Sequence, residues 1–287
     1  MSLYYSAKKR LKVARWKLRR QSAARRWGSH ELNSSPAILG NAMPKSGSHL
    51  IIQVLQGLPE IGPAVNPGFP PVNRSEDNRK LGYEHTLENI KRMQPGDIAY
   101  GYVHAKNPFT NLLAQSGRAT IFVYRDPRDV IVSHVFYATD IHKGHGMHEY
   151  YSENLNSIEQ RIDAAILGVQ EPGYELAPIR SKYKHYLGWL EEGNVLSLKF
   201  EDLILDRKSC FELILDYLVK RGFSLQLDRS RAVAILEKAV EPQRSGTYRK
   251  AQPGNWREHF TEKNKKNFKQ STGDLLSMLG YELDNTW

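Results

Sequence analysis

The apolar run Ala37-Ile38-Leu39 leads into Pro44-Lys45-Ser46-Gly47-Ser48-His49-Leu50, where a helical pattern begins. Leu50, Ile51, Val54, Leu55 and Leu58 recur at helical spacing until Gly57 and Pro59 break it. A strand feeding a short Lys/Ser/Gly turn and then a helix is built to grip an anion. Backbone N–H groups converge in the turn, and the helix N-terminus adds positive partial charge. Taken alone, the turn is a weak signal, and an ordinary loop explains it as well.

The alternation continues downstream. Asp97–Val103, Ala119–Tyr124 and Val195–Phe200 read as strands. Asp126-Pro127 supplies an N-cap and a first-turn proline before Val130, Ile131 and Val135. Ile158, Ile162 and Ile166 mark a further helix, as do Ile179, Tyr183, Tyr186, Leu187 and Leu190. Helical patterns follow at 207–220, 229–240 and 262–279, with Gly280 as a stop. This order predicts an α/β fold with a mainly parallel sheet flanked by helices, where ligands bind beyond the strand C-termini. Lys45, His104 and Arg125 each follow the C-terminal end of a predicted strand. Residues 59–82, rich in Pro, Gly and Asn, read as a long loop.

At 287 residues and 40% hydrophobic, the chain can bury one sizeable core. Lone Cys210 excludes an internal disulfide and a cysteine-rich zinc site, and suits a reducing compartment. No stretch approaches the length of a membrane span. Ten of the 41 basic residues fall in residues 1–30, which hold no acid, leaving 31 basic against 31 acidic beyond them. The net charge of +10 therefore belongs to the leader. Residues 1–30 read first as a solvated, partly helical basic tail, ahead of residues 31–287 as one domain. Attraction to anionic lipid or nucleic acid is the second reading and an organellar transit peptide a third. No nucleic-acid partner is expected for the body, whose charges balance.

Two further basic motifs stand beside the first. In Tyr124-Arg125-Asp126-Pro127-Arg128-Asp129-Val130-Ile131-Val132-Ser133, Arg125 and Ser133 could give a guanidinium fork and a hydroxyl to one phosphate. Equally, Arg125 could pair with Asp126 or Asp129. Arg249-Lys250-Ala251-Gln252-Pro253-Gly254-Asn255-Trp256-Arg257 is a basic, turn-rich segment that could close over a phosphate or lie flexible at the surface. Gly40–Ser46 lacks the glycine that precedes lysine in a Walker A turn, and the run Thr120–Tyr124 ends in Arg125 rather than a magnesium-binding acid.

Together these motifs resemble those of the sulfotransferases that use 3′-phosphoadenosine 5′-phosphosulfate (PAPS). Pro44–Leu50 is similar to the family's P-K-S-G-T-[ST]-W loop, and Arg125–Ser133 to its R-[ND]-P-[KR]-D-x-x-V-S element. Arg249–Arg257 is similar to R-K-G-x-x-G-D-W-[KR], and Leu198–Leu203 to a Y-E-D-[ML] block. The resemblance covers roughly residues 36–282 and implies a P-loop-like sulfotransferase fold. It implies that Lys45 offsets charge on the leaving phosphate oxygen, while Ser46, Gly47, Ser48 and His49, with Phe200 nearby, form the 5′-phosphosulfate side. Arg125, Ser133, Arg249 and Lys250 then hold the 3′-phosphate. His104 is expected to be the general base for the acceptor's proton, because imidazole titrates near neutrality.

The resemblance also implies a cytoplasmic enzyme with PAPS as co-substrate and no metal, peripheral at a membrane if the tail binds one. The acceptor is expected to be a hydroxyl or amine of a small molecule, lipid or carbohydrate. It would meet loops 59–85 and 137–155, with Tyr83, His85, Phe136, Tyr137 and Tyr150. The other readings are a P-loop kinase or nucleotide hydrolase, and a non-catalytic membrane or RNA binder directed by the tail. There are departures too. Leu50 replaces the tryptophan that stacks on adenine, and Tyr102 replaces a lysine two residues before the histidine. The family's short dimer element keeps only Thr261. His142, His145 and His148 have spacing that suits zinc, but their glycines favour a loop, read as acceptor contact or solvated surface.

Overall fold

The structure is a computed structural model that describes residues 2–241 and 252–287, with side chains from residue 10 onward. Along the chain come helices α1 (Ser2–Trp27) and α2 (Ser29–Ser34), strand β1 (Ala37–Ala42), and helices α3 (Ser48–Gly57) and α4 (Tyr83–Lys91). Next are β2 (Ile98–Gly101), α5 (Phe109–Ala114), β3 (Arg118–Tyr124), α6 (Pro127–Phe136) and α7 (Ile158–Leu167). A hairpin of β4 (Val169–Glu171) and β5 (Tyr174–Leu176) precedes α8 (Ile179–Lys184) and α9 (Gly188–Glu191). The chain ends with β6 (Val195–Lys199), α10 (Phe200–Leu205), α11 (Arg207–Lys220), α12 (Arg229–Ala239), α13 (Glu262–Thr272) and α14 (Leu275–Met278).

The described residues form two compact units. The first, drawn from 1–124 and 188–244, contains the whole four-stranded sheet, in the order β2-β1-β3-β6. All three pairings are parallel, with Ile38 opposite Ile98 and Ala119, and Val123 opposite Leu198. Every residue of β1 is buried, as a strand covered on both faces requires. Gly40 is what lets α3 lie close on β1, since a Cβ there would meet Leu55 Cδ1 at 2.7 Å. The chain leaves β1 for β2 on one side and returns to β3 on the other, so the C-terminal ends of β1 and β3 flank a topological switch point.

The second unit, drawn from 125–187 and 245–287, is mainly helical. Its α6 opens on the Asp126 cap, whose carboxylate accepts from Arg128 N at 2.9 Å, with Pro127 in the first turn. Ser157 and Gln160 form a capping box on α7, and Thr261 with Asn264 on α13. Asn264 Nδ2 reaches Asp163 Oδ1 at 2.6 Å, tying α13 to α7.

Two readings of the sequence are corrected. The basic leader is not a solvated tail: α1 is one continuous helix docked on the first unit. Trp16 Nε1 donates to Asp97 Oδ1 at 2.8 Å, and Arg20 pairs with the same carboxylate at 2.9 Å. Arg19 donates to the Asn66 carbonyl, Lys12 pairs with Glu76, and Trp16 packs on Phe69. The strand predicted over Asp97–Val103 is shorter, because β2 stops at Gly101 and side chains take over the bonding of the next two residues.

Candidate active site

In the first unit, the turn after β1 has the geometry of an anion cradle. Lys45 and Gly47 both take the left-handed conformation, with φ of 69° and 88°. Phe200, the buried first residue of α10, lies against the turn, and a Cβ on Gly47 would meet its Cδ2 at 2.3 Å. Only glycine fits there, on conformation and on space. Ser46 departs from expectation in one respect: its N–H already donates to the Met43 carbonyl at 3.1 Å. What Ser46 offers is its Oγ, fully buried and without a hydrogen-bond partner. A buried hydroxyl left unpaired is costly unless something polar joins it. Beside it, the N–H groups of Ser48 and His49 open α3 ahead of Leu50, whose N–H donates to the Gly47 carbonyl at 2.9 Å. The orphaned hydroxyl, the glycine-only bend and Lys45 fit a 5′-phosphosulfate.

His49 is on the exposed side of the turn. Partial desolvation of its ring, and then the Lys45 charge, hold its imidazole below its ordinary value, so at neutral pH it is uncharged. Tyr102 Oη donates to Ser48 Oγ at 3.2 Å, linking the cradle to the segment that carries His104. His104 follows two residues on, half-buried, and its carbonyl accepts from Lys106 N at 3.0 Å. Leu50 is buried in α3 and turns into the core, so it does not replace the family's adenine-stacking tryptophan at a surface.

In the second unit, Arg125 directly precedes the α6 cap and is buried, with Nη2 3.4 Å from Asp129 Oδ2. Pairing with Asp129 and availability to a phosphate are not exclusive, because a guanidinium has five donors. Ser133 lies half-buried on α6, eight residues further along. Asp129 is a residue whose role sequence reasoning missed. Its carboxylate accepts from Gly254 N and Trp256 N, each at 2.9 Å, and so holds the described start of the third motif beside Arg125. Trp256 is buried with its ring 4.0 Å from the Arg128 guanidinium carbon, while Trp287 stands at 4.4 Å. Arg249 and Lys250 lie outside the described residues.

In the histidine cluster the His142 and His145 rings lie edge to face, 6.3 Å apart. His145 Nδ1 accepts from Met147 N at 3.1 Å, and His148 Nδ1 lies 2.8 Å from the Ala138 carbonyl. Among the described residues no three His, Cys, Asp or Glu side chains are grouped to hold a metal ion. Nor is any described helix long and apolar enough to cross a membrane.

The sulfotransferase-domain family model matches residues 36–280 of the chain. The chain belongs to the sulfotransferase family. Among curated relatives of this sulfotransferase domain is the 3-alpha-hydroxysteroid sulfotransferase of Cavia porcellus, 26% identical over 170 residues. That match takes in 53% of this chain and spans about half (54%) of the relative's length. Among solved structures, mouse sulfotransferase SULT7A1 complexed with PAP superposes with a TM-score of 0.57 at 18% identity, over 88% of this chain and 87% of that one. Retinol dehydratase in complex with androsterone and the inactive cofactor PAP gives 0.53 at 14% identity, over 86% and 83%. At these identities the likeness establishes the fold, a parallel sheet flanked by helices as the sequence predicts.

Proposed function

We propose that the protein transfers a sulfuryl group from PAPS to a hydroxyl or amine of an acceptor. The observation that carries this is the cradle after β1, where a buried, unpartnered Ser46 hydroxyl sits in a glycine-only bend next to Lys45. PAPS supplies an activated sulfuryl group on a phosphate leaving group. Ser46 Oγ and the first-turn N–H groups at Gly47, Ser48 and His49 bind its 5′ side, with Phe200 fixing the bend. Arg125, Ser133, Arg249 and Lys250 bind the 3′-phosphate, which separates PAPS from simpler adenine nucleotides. His104 takes the acceptor's proton as the new S–O bond (S–N for an amine) forms and the bond from sulfur to the PAPS phosphate oxygen breaks, and Lys45 offsets the charge left on that departing oxygen. The products are the sulfated acceptor, the bisphosphate PAP and a proton held at His104.

The names of the relatives, which include a 3-alpha-hydroxysteroid and retinol, support an apolar alcohol as acceptor. Tyr83 and His85 in the first unit, and Phe136, Tyr137 and Tyr150 in the second, are the residues assigned to it. The outward side of α1 exposes Arg10, Arg15, Lys17 and Arg25 around Leu11 and Leu18, which are 59% and 64% exposed. That surface supports peripheral attachment to an anionic membrane from the cytoplasm.

Calorimetry with PAP and with ATP tests the catalytic reading. Tight PAP binding without Mg²⁺ is expected, and ATP binding that depends on Mg²⁺ would overturn it. Labelled PAPS offered with a 3α-hydroxysteroid, retinol, a phenol and an amine identifies the acceptor class.

A further inference from the structure

Two asparagines outside the sulfotransferase motifs hold the backbone immediately before His104. β2 leaves the sheet ladder at Gly101, opposite Asn41 of β1. The next two residues have no strand beside them, yet their peptide groups are fully engaged. Asn73 Nδ2 donates to the Tyr102 carbonyl at 2.7 Å, and Asn73 Oδ1 accepts from Tyr102 N at 3.0 Å. Asn41 does the same to Val103, donating to its carbonyl at 3.0 Å and accepting from its N–H at 2.8 Å. Trp189 Nε1 adds a second donor on the Val103 carbonyl at 2.8 Å.

A primary amide presents a donor and an acceptor as a peptide group does, so each asparagine imitates a missing strand neighbour. Successive residues of an extended chain turn their N–H and C=O to opposite sides, so two amides grip this segment from two sides. Asn41 is fully buried in a strand that is otherwise apolar or small, a placement that costs stability unless every amide bond is made. Asn73 is itself fixed by Leu81 N on its carbonyl and by Val72 N on the Tyr100 carbonyl next door.

We propose that Asn41 and Asn73 are positioning residues for His104, a clamp that extends β2 by two residues and sets the imidazole at its working place. The inference rests on the reading of His104 as the base. The clamp fixes His104 from its N-terminal side, and the turn closed by Lys106 N on the His104 carbonyl fixes it from the other.

Asn73→Ala is the informative change, since Asn73 lies at the edge of the sheet and Asn41 within it. Histidine-labelled full-length protein with PAP bound is followed by NMR, and the His104 signal is assigned by its loss in His104→Ala. In Asn73→Ala that signal is expected to shift or broaden with PAP affinity unchanged, while the urea midpoint falls because the Tyr102 peptide group loses both amide bonds. Asn73→Asp, which keeps the acceptor for Tyr102 N, should fall between. With a 3α-hydroxysteroid as acceptor, kcat should drop about tenfold or more at constant KM for PAPS, as misplacing a catalytic group does. That loss should vanish in the His104→Ala background. An unmoved His104 signal, or an undiminished kcat loss in that background, overturns the clamp. Full activity of His104→Ala overturns the base reading, and with it the clamp's catalytic purpose, whatever the NMR shows.

Discussion

Asp129 offers the sharpest test of how the second unit holds the residues proposed for the 3′-phosphate. Its carboxylate is 1% exposed and accepts Gly254 N and Trp256 N at 2.9 Å, with Arg125 Nη2 at 3.4 Å. Hydrogen bonds to a charged acceptor contribute about 1.5–3 kcal/mol each. Asp129→Ala breaks two of them and strands the N–H of a residue that is itself buried. The ion pair is long, so it adds roughly 1 kcal/mol or less. Water can re-enter beside Gly254, which is only half-buried, and this favours the lower end of the range. A loss of about 4 kcal/mol follows, survivable against a total of roughly 5–15 kcal/mol.

Asp129→Asn keeps one acceptor and should lose about half as much. In urea, with a slope near 3 kcal/mol per molar, the alanine variant's midpoint falls by about 1.3 M and the asparagine variant's by about 0.7 M. PAP affinity falls as well, because Arg125 loses a fixed neighbour. Wild-type midpoint and PAP affinity in Asp129→Asn would show that the carboxylate carries neither.

Other expectations follow from single groups. Ser46→Ala removes a buried hydroxyl that has no partner, so the ligand-free protein should gain about 1 kcal/mol or more in urea while PAP binding weakens. Weakened stability with intact PAP binding would contradict the cradle. Burial pulls the Lys182 ammonium down to about 8. The unfolded chain then binds more protons than the folded one between about pH 8 and 10.4, so this residue makes stability rise with pH across that window. Lys182→Met should raise the melting temperature at pH 7 and give no such gain at pH 10.5. Burial, and then Asp202 and Asp206, push the Cys210 thiol to about 11, so a disulfide reagent at pH 8 should leave it unmodified in the native protein.

What was legible in the sequence was local. The Asp126-Pro127 cap, the Lys45 turn and the glycine at its bend are set by neighbours a few residues apart, and the structure has them where the spacing puts them. The inward face of α1 was also written there, in Lys12, Trp16, Arg19, Arg20 and Trp27 at helical spacing. A run of charge with no acid nevertheless looks like a surface, and nothing nearby reveals that Asp97 waits 81 residues from Trp16. The hairpin Val169–Leu176 has a local signal in Pro172-Gly173 at its turn. Asn41 and Asn73 could not be found by pattern, because they bond backbone 62 and 29 residues away and backbone has no sequence. Asp129 was visible only as a rival for Arg125, while its second role needs the return of the chain at Gly254.

Asp97 gives α1 a consequence beyond its own contacts. Burial raises this carboxyl above its usual range even though the Trp16 indole, Gln94 N–H and Arg20 all favour its charge. Stripped of α1, it loses two of its three partners and the cover that Trp16 and Arg20 give it. The sulfotransferase-domain match begins at residue 36, yet α1 is tied to that stretch through Lys12, Trp16 and Arg20. Inherited and thermodynamic boundaries therefore differ in this chain. A variant trimmed to the inherited one inherits a defect at Asp97, and any loss of activity it shows would report on that defect before it reported on what α1 does.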